Sequence, residues 1–466
     1  MSGAADLPVA APGFWTLERV AEALETAPIV PDGGTFAPDT PLTGVSTDTR
    51  ALARGALFVA LAGERFDAHD YLLQAIDAGA AALVVHDASR AAGLGVPVFI
   101  VADTLVALGA LGRHRRRAWG GTVVAVAGSN GKTSTKELLK AALGATRRVH
   151  ATTGNFNNRV GLPLTLLAIP DDAEVAVIEA GTNVPGEVAT LRDICEPDVA
   201  LVTSIGEEHL EGLGDLAGVL REEASIYDGV TLGVAPAAQP EVAAEARGRA
   251  ARVIVAGLDA GELRASSWRL DADGTGRMTV DGTEVHVPLR GAHNLRNAML
   301  ALAVARELGV PPDRAAEGIA RMPAPSMRMA WETVGRAVVL NDAYNANPPS
   351  MRAAFELVAA VADGRPRVAV LGTMLELGPE TDRLHREVAR AALSGTFDIV
   401  AGVGLFAEAL VAESGGDDRV VTAPDAEALW PLLEPRLAPD SLILLKGSRG
   451  MRLERLVPHL TAWAAS

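Results

Sequence analysis

The chain has 466 residues, of which 49% are hydrophobic and 21% are charged, so it can bury sizeable cores and does not have the composition of a disordered protein. At about 150 residues per domain, this length favours three domains over one. The formal net charge of −16 argues against nucleic acid as a partner, and the single cysteine, Cys195, excludes an intrachain disulfide and a multi-cysteine metal cluster.

The N-terminal segment MSGAADLPVAAPGFW contains an Asp and no basic stretch. It therefore does not resemble a secretory signal, and we expect a disordered leader there. Because the sequence has no run of about 18 apolar residues, we expect no membrane insertion. A cytoplasmic protein fits these observations and the reducing compartment that a single cysteine suggests.

Residues 15–102 are predicted to form a small α/β domain. Short apolar runs at 56–62, 81–85 and 96–101 alternate there with helix-like segments such as 71–78. This alternation is typical of strands that are joined by helices.

A helix is predicted over Thr104 to Trp119, and it ends in the basic residues Arg113 to Arg117. We interpret these charges as a solvated helix end near a domain junction. The alternative interpretation, a patch that binds nucleic acid, is less compatible with the acidic composition.

From Val123 the pattern changes to strand, Gly-containing loop and helix, and two further strands are predicted at 175–180 and 199–205. This alternation indicates a parallel sheet with helices on both faces. The loops after the three strands, which follow Ala127, Ala180 and Ile205, would then lie at one edge of the sheet, where ligands bind in such folds.

Two further elements are predicted before the sequence pattern changes again. One is a turn-rich hairpin over 263–290, and the other is an amphipathic helix over 293–309.

A second open α/β pattern begins after the Pro-containing stretch 322–327. Its strands are predicted in AVVLND, RVAVLG, DIVAGVG and SLILLKG, and its helices are predicted to begin at Ser350, Asp382, Leu405 and Met451. The first of these strands is not followed by G-x-G-x-x-G, so the sequence does not support a dinucleotide site there.

The strongest local signal is the run Gly128-Ser129-Asn130-Gly131-Lys132-Thr133, which follows a predicted strand and opens a predicted helix. Backbone N–H groups of such a loop cradle phosphates, the lysine reaches the β- and γ-phosphates, and the threonine hydroxyl binds Mg²⁺. The run departs from G-x-x-x-x-G-K-[ST], because the expected first glycine falls on Val126. A turn without a phosphate is the alternative, and the sequence favours an ATP or GTP site.

The predicted fold class is therefore α/β in three domains. These are a small α/β N-terminal domain at 1–102, a central parallel-sheet domain with the phosphate loop (P-loop) at 103–326, and a C-terminal Rossmann-like α/β domain at 327–466.

Glu179 ends the second predicted strand of the central domain, and His209 follows the third. Each by itself could be an ordinary loop residue, but beside a phosphate loop a carboxylate and an imidazole are typical ligands of a divalent cation. The amide-rich loop at 152–158 could bind a polar substrate, although a cluster of Asx turns would look similar.

Seven motifs occur in the order found in the Mur ligase family, which the chain resembles over nearly its whole length. They are GSNGKTSTKE, TTGNFNNRVGLPLTLL, EAGTNVPGE, SIGEEHLEGLG, GAHNLRNAMLALAVA, NDAYNANPPSM and KGSRGMRLE. The resemblance includes the N-terminal stretch STDTRALARGALFVALAGERFDAHDYL. The GKT loop also occurs in folylpolyglutamate synthases, whereas NDAYNANPPSM and EAGTNVPGE resemble the branch that adds a dipeptide.

The resemblance implies an ATP-dependent amide ligase of peptidoglycan synthesis that uses ATP and Mg²⁺. ATP would phosphorylate the terminal carboxylate of UDP-N-acetylmuramoyl-tripeptide, and the amine of D-Ala-D-Ala would attack the acyl phosphate. Phosphorylation makes chemical sense because a carboxylate at neutral pH is a poor electrophile. A monomer without a nucleic-acid partner is expected.

The resemblance also implies roles for individual residues. Catalysis falls to Lys132, Glu179, His209 and Arg328. ATP binding falls to Gly128, Ser129, Asn130, Gly131, Lys132, Thr133, Ser134, Asn294, Asn297, Arg328 and Asp342, with Asn297 at the adenine, Asp342 at the ribose and Arg328 at the γ-phosphate. Metal binding falls to Thr133, Glu179 and His209, and the hypothesis given below adds Glu223 to this set.

Substrate binding is implied at Asp48, Thr49, Arg50, Asn155, Asn158, Tyr344, Asn345 and Lys446. The first three resemble a uridine-nucleotide motif with Thr in place of Ser, and the last three would contact the dipeptide. Helix caps, turns, surface charges or a snorkelling lysine are the alternatives at such positions.

Two positions depart from the family pattern. Glu223 stands where the family has a lysine that is carbamylated, and we hypothesise that its carboxylate replaces the carbamate. The alternative is that the metal is held in another way. Met327 stands before Arg328 where the family usually has glycine, so the local turn is open to question.

Other functions are compatible with the same motifs. The chain could be another Mur ligase or a folylpolyglutamate-type ligase. It could also be a non-catalytic homologue that binds ATP as a regulatory switch.

Overall fold

The computed structural model describes residues 13–31, 36–63, 66–323 and 327–465. These residues belong to two compact units, of which the first comprises 1–126, 147–182 and 186–200, and the second comprises 127–146, 183–185 and 201–466. The first twelve residues of the predicted leader, and residues 324–326 beside the predicted domain boundary, lie outside the described part.

Helices and strands alternate along most of the chain. The α-helices are α1 (Leu17–Leu24), α2 (Leu72–Asp77), α3 (Thr104–Trp119), α4 (Lys132–Gly144), α5 (Gly161–Leu167), α6 (Glu187–Cys195), α7 (Leu210–Leu213), α8 (Leu216–Ala224), α9 (Pro240–Arg249), α10 (Ala292–Glu307), α11 (Pro312–Ala320), α12 (Pro348–Val361), α13 (Thr381–Ser394), α14 (Leu405–Ser414), α15 (Ala426–Leu433) and α16 (Leu456–Ala464).

The strands follow the same chain order. They are β1 (Val45–Ser46), β2 (Leu57–Val59), β3 (Ala62–Gly63), β4 (Phe66–Asp67), β5 (Ala82–Val85), β6 (Val98–Ile100), β7 (Thr122–Ala127), β8 (Val149–Ala151), β9 (Val175–Glu179), β10 (Val199–Val202), β11 (Leu232–Pro236), β12 (Arg252–Gly257), β13 (Leu263–Leu270), β14 (Thr275–Val280), β15 (Thr283–Arg290), β16 (Ala330–Val334), β17 (Ala337–Asp342), β18 (Arg367–Leu371), β19 (Ile399–Val403), β20 (Val420–Ala423) and β21 (Leu442–Lys446).

Three larger sheets organise these strands, in the orders β1-β2-β5-β6, β15-β14-β13-β12-β11-β10-β7-β9-β8 and β16-β17-β21-β18-β19-β20. Pairing is parallel in the first sheet. It is also parallel where β9 pairs with β7 and β8, and where β17, β18 and β21 pair. Antiparallel pairs join β13, β14 and β15, which form the predicted hairpin region as a three-stranded meander. The predicted α/β class is confirmed.

The core of the first unit includes Trp15, the last residue of the predicted leader and the first of the predicted small domain. Trp15 and Val20 are fully buried, and they pack with Leu57 of β2 and Val84 of β5. Trp15 therefore does not belong to a disordered leader, since an indole of this size stabilises a small domain by the apolar surface that it buries.

The prediction that the basic end of α3 is solvated is wrong for two of its arginines. Arg115 is 2% exposed and donates to the carbonyl of Ile169 at 2.5 Å. Arg116 is 8% exposed and donates to the carbonyls of Cys195 and Glu196. These side chains are buried because carbonyl groups at the ends of neighbouring segments need donors.

The helix predicted over 293–309 is confirmed as α10, but its middle turns are not amphipathic as predicted. Residues 297–305 of the helix are all buried, so the apolar surface extends around the helix rather than along one face. A helix that is apolar on every side belongs inside a domain, and α10 packs against α4.

In the last sheet, the four predicted strands are confirmed. Strands β16 and β20 and helix α15 were not predicted. The helix predicted from Met451 begins instead at Leu456, after two 3₁₀ turns. Arg452 has φ 53° between these turns, and this left-handed conformation interrupts a right-handed helix. Among the described residues, no helix has both the length and the apolar character required to cross a membrane.

Candidate active site

The phosphate loop joins β7 to α4, as predicted, and two glycines shape it. Gly128 has φ 118°, and a Cβ at this position would lie 2.4 Å from Oγ1 of Thr203. Gly131 has φ 87° and precedes the first residue of α4, Lys132. A Cβ on Gly131 would lie 2.7 Å from Nδ2 of Asn297. Both positions therefore need glycine for backbone conformation and for space.

The segment after β10 holds this loop in place. Ser129 and Gly206 bond reciprocally, since the Gly206 N–H donates to Oγ of Ser129 at 2.9 Å and that hydroxyl donates to the Gly206 carbonyl at 3.2 Å. The Thr203 hydroxyl donates to the carbonyl of Asn130 at 2.7 Å. The strand predicted to reach residue 205 ends at Val202 because the following polar groups bond the loop instead.

Two buried carboxyl groups lie beside Lys132. Its Nζ donates to the carbonyl of Gly128 and lies 3.7 Å from Oε1 of Glu208 and 3.9 Å from Oε1 of Glu223. The other oxygen of Glu223, Oε2, accepts the Gly128 N–H at 2.7 Å. Glu223 thus contacts both the backbone and the lysine of the phosphate loop.

Burial dominates the electrostatics of this pair of carboxyl groups. It raises the pKa of Glu208 to about 8, against the opposing charge of Lys132. It also raises the pKa of Glu223, where Lys132 again opposes the effect. Charge on these groups therefore has to be balanced by a nearby cation.

A divalent cation suits the chemistry of this cluster. Oε1 of Glu208 and Oε1 of Glu223 are buried, and neither has a hydrogen-bond partner among the described residues. Carboxylate and hydroxyl oxygens are the ligands that Mg²⁺ prefers. In the part of the chain that the structure describes, no group of three or more His, Cys, Asp and Glu side chains is arranged to hold a metal. The predicted four-residue metal set stays a prediction.

The two asparagines that are predicted to bind ATP lie on α10. Asn294 and Asn297 are both 6% exposed, and Nδ2 of Asn297 donates to Oδ1 of Asn294 at 3.2 Å. Asn294 in turn donates to the carbonyl of Arg290 at 2.8 Å. Because Asn297 also lies against Gly131, the structure brings one of these amides to the phosphate loop.

His209 precedes α7 and has the left-handed backbone angle φ 50°. Its Nδ1 is hydrogen-bonded to a carboxylate oxygen of Glu376, and its Nε2 lies 3.8 Å from Oε2 of Glu208. Glu208 connects this imidazole to Lys132, as described above. The structure thus brings His209 to the same cluster of charged groups as the phosphate loop.

Arg328 and Tyr344, which are predicted to bind ATP and the dipeptide, contact each other. The guanidinium carbon of Arg328 lies 4.2 Å from the centroid of the Tyr344 ring, a cation–π arrangement. Met327, which stands where the family has glycine, has φ 54°, and Met329 has φ 53°. The turn therefore keeps a glycine-like conformation without glycine.

Asp342 and Lys446 end the neighbouring strands β17 and β21, where they are register partners. Nζ of Lys446 donates to Oδ2 of Asp342 and to the carbonyl of Asn345 at 3.1 Å. Lys446 is 2% exposed, so it does not snorkel to solvent. Asp342, predicted to bind the ribose, and Asn345 and Lys446, predicted to bind the dipeptide, thus form one polar cluster, in which Lys446 is buried and Asn345 is exposed.

In the first unit, Glu179 is 2% exposed at the end of β9. Its Oε1 accepts from Nδ2 of Asn157 at 2.9 Å, and its backbone N–H donates to the Thr152 hydroxyl at 2.9 Å. Of the predicted substrate residues in this loop, Asn155 is exposed. Oδ1 of Asn158 accepts from the N–H groups of Val160 at 3.1 Å and Gly161 at 2.9 Å, just before α5.

The predicted uridine motif in the first unit follows β1. Arg50 donates to both carboxylate oxygens of Asp48, and this hydrogen bonding holds the pKa of Asp48 below its usual value. The side chain of Arg50 is 83% exposed, and Thr49 is partly buried.

Two residues of these clusters are absent from the sequence prediction: Glu208 and Glu376. Asn157 was predicted only as a member of the amide-rich loop at 152–158, without a role of its own. Glu208 adjoins the predicted His209 in the run GEEH, so that motif contained the signal. Glu376 lies 167 positions from its partner, and no motif links the two.

Comparisons with known proteins now add to this geometry. Residues 41–116 match the description "Mur ligase family, catalytic domain", residues 126–305 match the Mur ligase middle domain, and residues 327–449 match the glutamate ligase domain of Mur ligases. The UDP-N-acetylmuramoyl-tripeptide–D-alanyl-D-alanine ligase of Bacillus subtilis is 35% identical over 435 residues, which cover 90% of this chain and 93% of that protein. The chain belongs to the Mur ligase family.

Solved structures agree with this membership. A crystal structure of MurF from Acinetobacter baumannii has a TM-score of 0.87 and 29% identity to this Mur ligase, covering 98% of this chain and 100% of that one. MurF of Thermotoga maritima, solved with ADP, has a TM-score of 0.81 and 26% identity, covering 91% and 98% of the two chains. This Mur ligase has the three-domain α/β fold of the family.

Proposed function

We propose that this Mur ligase joins D-alanyl-D-alanine to UDP-N-acetylmuramoyl-tripeptide with ATP and releases ADP and phosphate. The proposal rests on the phosphate loop of a chain that is 35% identical to such a ligase over nine-tenths of its length. In this loop, Gly131 precedes Lys132, which is the first residue of α4. That loop supplies the backbone donors that a triphosphate requires.

In the first step, an oxygen of the tripeptide carboxylate attacks the γ-phosphorus of ATP, and ADP leaves. Lys132 neutralises charge on the β- and γ-phosphates, and the backbone N–H groups of the loop hold the phosphate oxygens. Arg328 approaches the transferred group, while Asn297 and Asp342 hold the nucleoside. Positioning and charge balance supply most of the catalysis in such a transfer.

In the second step, the amine of the dipeptide attacks the acyl carbon, phosphate leaves with the bonding electrons, and the amine loses a proton. Lys446, Tyr344 and Asn345 are the proposed dipeptide contacts. Their proximity to Asp342 supports this role, because the dipeptide must meet the acyl phosphate near the nucleotide. In the first unit, Asn155 and Asn158 are proposed at the tripeptide, and Asp48, Thr49 and Arg50 at the uridine nucleotide.

Mg²⁺ is proposed at Thr133, Glu179, His209 and Glu223. When bound, it would offset the negative charge of the triphosphate and of the phosphoryl group in transfer. Oε1 of Glu208 and Oε1 of Glu223 accept no hydrogen bond among the described residues, although Lys132 lies 3.7 and 3.9 Å away, and this supports a further cation near the phosphate loop.

We propose that the domain at 1–102 binds the uridine nucleotide, that the domain at 103–326 binds ATP, and that the domain at 327–466 binds the dipeptide. We also propose that the protein is a monomer and acts in the cytoplasm. Limited proteolysis tests the domains, because proteases cut preferentially between domains, so that cleavage is expected near residues 103 and 326 if these are the boundaries.

The function is tested by supplying purified protein with ATP, Mg²⁺ and UDP-N-acetylmuramoyl-tripeptide, with and without D-Ala-D-Ala. We expect dipeptide-dependent release of ADP and phosphate, and a pentapeptide product by mass spectrometry. Activity only with folate substrates or with another Mur substrate pair would contradict the proposal. ATP binding without turnover on any pair would indicate a regulatory homologue.

Glu223 gives a more specific prediction. If its carboxylate replaces a carbamate, removing bicarbonate leaves turnover unchanged, whereas Glu223→Lys makes turnover depend on bicarbonate. Glu222→Lys is the matched control, because Glu222 is the preceding residue on α8, whereas the Gly128 N–H donates to Glu223. A reversible loss of wild-type turnover after bicarbonate removal would refute the hypothesis.

A further inference from the structure

The ring of His209 lies between two carboxylates from different parts of the chain. On one side, Nδ1 is hydrogen-bonded to Glu376, in the loop between β18 and α13. On the other side, Nε2 lies 3.8 Å from Glu208, which adjoins Lys132. The contacts therefore run from Glu376 through the imidazole to the lysine of the phosphate loop.

The loop that carries Glu376 is held firmly. The N–H of Met374 donates to Nε2 of the buried His385 at 2.9 Å, and the N–H of Leu375 donates to the Ser448 hydroxyl at 3.0 Å. The carbonyl of Glu376 accepts the N–H of Glu211 at 3.2 Å. The carboxylate is thus presented to His209 from a fixed backbone.

Both partners also have strained backbone conformations. Glu376 has φ 64° and His209 has φ 50°, and such angles cost a non-glycine residue about 1–3 kcal/mol. A conformation of this cost persists only where surrounding contacts impose it. Here Glu376 accepts hydrogen bonds from the Glu211 N–H and from Nδ1 of His209, and these bonds join the two strained segments.

A carboxylate at Nδ1 determines which ring nitrogen can act as a ligand. Because the carboxylate only accepts, Nδ1 must carry the hydrogen, and the neutral ring then has its lone pair on Nε2. Carboxylates that orient ligand histidines in this way change metal affinity by about 10- to 100-fold.

We infer that Glu376 is a positioning residue that fixes His209 in the Nδ1–H tautomer and aims Nε2 at the phosphate-loop cluster. This inference rests on the proposed function, in which His209 binds the catalytic metal. Glu376 does not touch the substrates in this role, and it acts only through the imidazole.

The first test reads the tautomer directly, with no metal or substrate present. Long-range ¹⁵N–¹H NMR on histidine-labelled protein at pH 8 reports which ring nitrogen is protonated, and His209→Asn assigns the signal. We expect the Nδ1–H form in the wild type, its loss in Glu376→Ala and its retention in Glu380→Gln. Glu380 is a suitable control because its carboxylate pairs with Arg383, whereas that of Glu376 is bonded to His209.

The second test titrates Mn²⁺ in the presence of ADP and follows unbound Mn²⁺ by electron paramagnetic resonance. We expect affinity to fall about 10- to 100-fold in Glu376→Ala and to be unchanged in Glu380→Gln. Glu376→Gln keeps the shape of the side chain and a weaker hydrogen-bond acceptor, so its Mn²⁺ affinity should lie between those of the wild type and Glu376→Ala. This variant replaces Glu376→Ala in the test if the alanine variant unfolds.

An unchanged tautomer or an unchanged Mn²⁺ affinity in both Glu376 variants would overturn the inference, whatever the ligase assay shows. If the wild type makes no pentapeptide while the tautomer and Mn²⁺ affinity both change, the proposed substrates are wrong and the positioning role stands.

Discussion

Two groups of largely buried charged side chains lie where chemistry is proposed in the second unit. Lys132 lies beside Glu208 and Glu223, and Lys446 pairs with Asp342. Removing such charges from water is costly, and apolar residues of the same size often stabilise a fold at least as well. We interpret their retention as a requirement of phosphate chemistry, since anionic substrates need fixed cations and oriented carboxylates.

The buried imidazole of His293 predicts that the stability of the fold depends on pH. Burial lowers the pKa of His293 to about 4, and its Nε2 accepts a hydrogen bond from Asn294 at 3.2 Å. In the unfolded chain the pKa is about 6.5, so the unfolded state takes up a proton first as the pH falls. Stability should therefore fall between about pH 6.5 and 4, by up to about 1.4 kcal/mol per pH unit.

Thermal unfolding of His293→Gln tests this expectation, because glutamine keeps an acceptor but does not titrate. The wild type should lose stability more steeply than the variant below pH 6.5 and in parallel with it above pH 7. Equal slopes on the acidic side would show that His293 is not the group involved.

Helix α3 shows how an element is held by charges that look like surface residues in the sequence. Arg116 donates to the carbonyls of Cys195 and Glu196 and to the carboxylate of Asp198 at 2.9 Å. The next residue, Arg117, makes only an exposed pair with Glu196. Neighbouring arginines on one helix therefore differ in their contribution to stability.

Arg116→Ala should lower the free energy of unfolding by about 2–3 kcal/mol, because buried carbonyls lose their donor. Arg117→Ala should lower it by about 0–1 kcal/mol, as for an exposed ion pair. Denaturant titration of the two variants measures both values. Similar losses would mean that Arg116 does not anchor the helix.

Gly128, in the turn before α4, is predicted to be needed for nucleotide binding. Gly128→Ala places a methyl group 2.4 Å from Oγ1 of Thr203 at φ 118°, so the loop has to move. We expect ADP affinity to fall at least about tenfold, which is a change of about 1.4 kcal/mol. Calorimetric titration with ADP measures this change.

Gly144→Ala, at the other end of α4, is the matched control because no atom lies within 4 Å of the added methyl group. It should bind ADP like the wild type. Equal affinity in both variants would show that Gly128 does not shape the phosphate site.

At the scale of the whole molecule, residues of the phosphate loop, α10 and the last sheet all belong to the second compact unit. Asn130 of the loop accepts from Nδ2 of Asn347 at 3.0 Å, and Asn347 caps α12 of the last sheet. A nucleotide bound there should therefore stabilise one large cooperative unit.

ADP at about 100 times its dissociation constant should add about 2.7 kcal/mol to the stability of the native state. Differential scanning calorimetry should show a higher melting temperature for the transition of the second unit. Lys132→Ala should lose most of this increase, judged from the same variant with and without ADP. A rise of equal size in that variant would place the nucleotide elsewhere.

Much of this architecture follows from local sequence. Apolar runs and their spacing predict the strands β7, β9 and β17, and the run that ends at Thr133 predicts the phosphate loop, because periodicity and glycine content act over a few residues. Short motifs also identify the family. Burial of Arg115 and of α10 could not be predicted in this way, since it depends on which elements pack around them.

The sequence by itself thus determined the α/β class, the phosphate loop and the order of the Mur ligase motifs. Only the tertiary structure decided the partners of the charged groups: Glu208 and Glu223 at Lys132, and Glu376 at His209 across 167 positions. The physical reason is that helix and strand patterns arise from neighbours along the chain, whereas the pairing of buried charges depends on distances that exist only after the sheets and helices have packed.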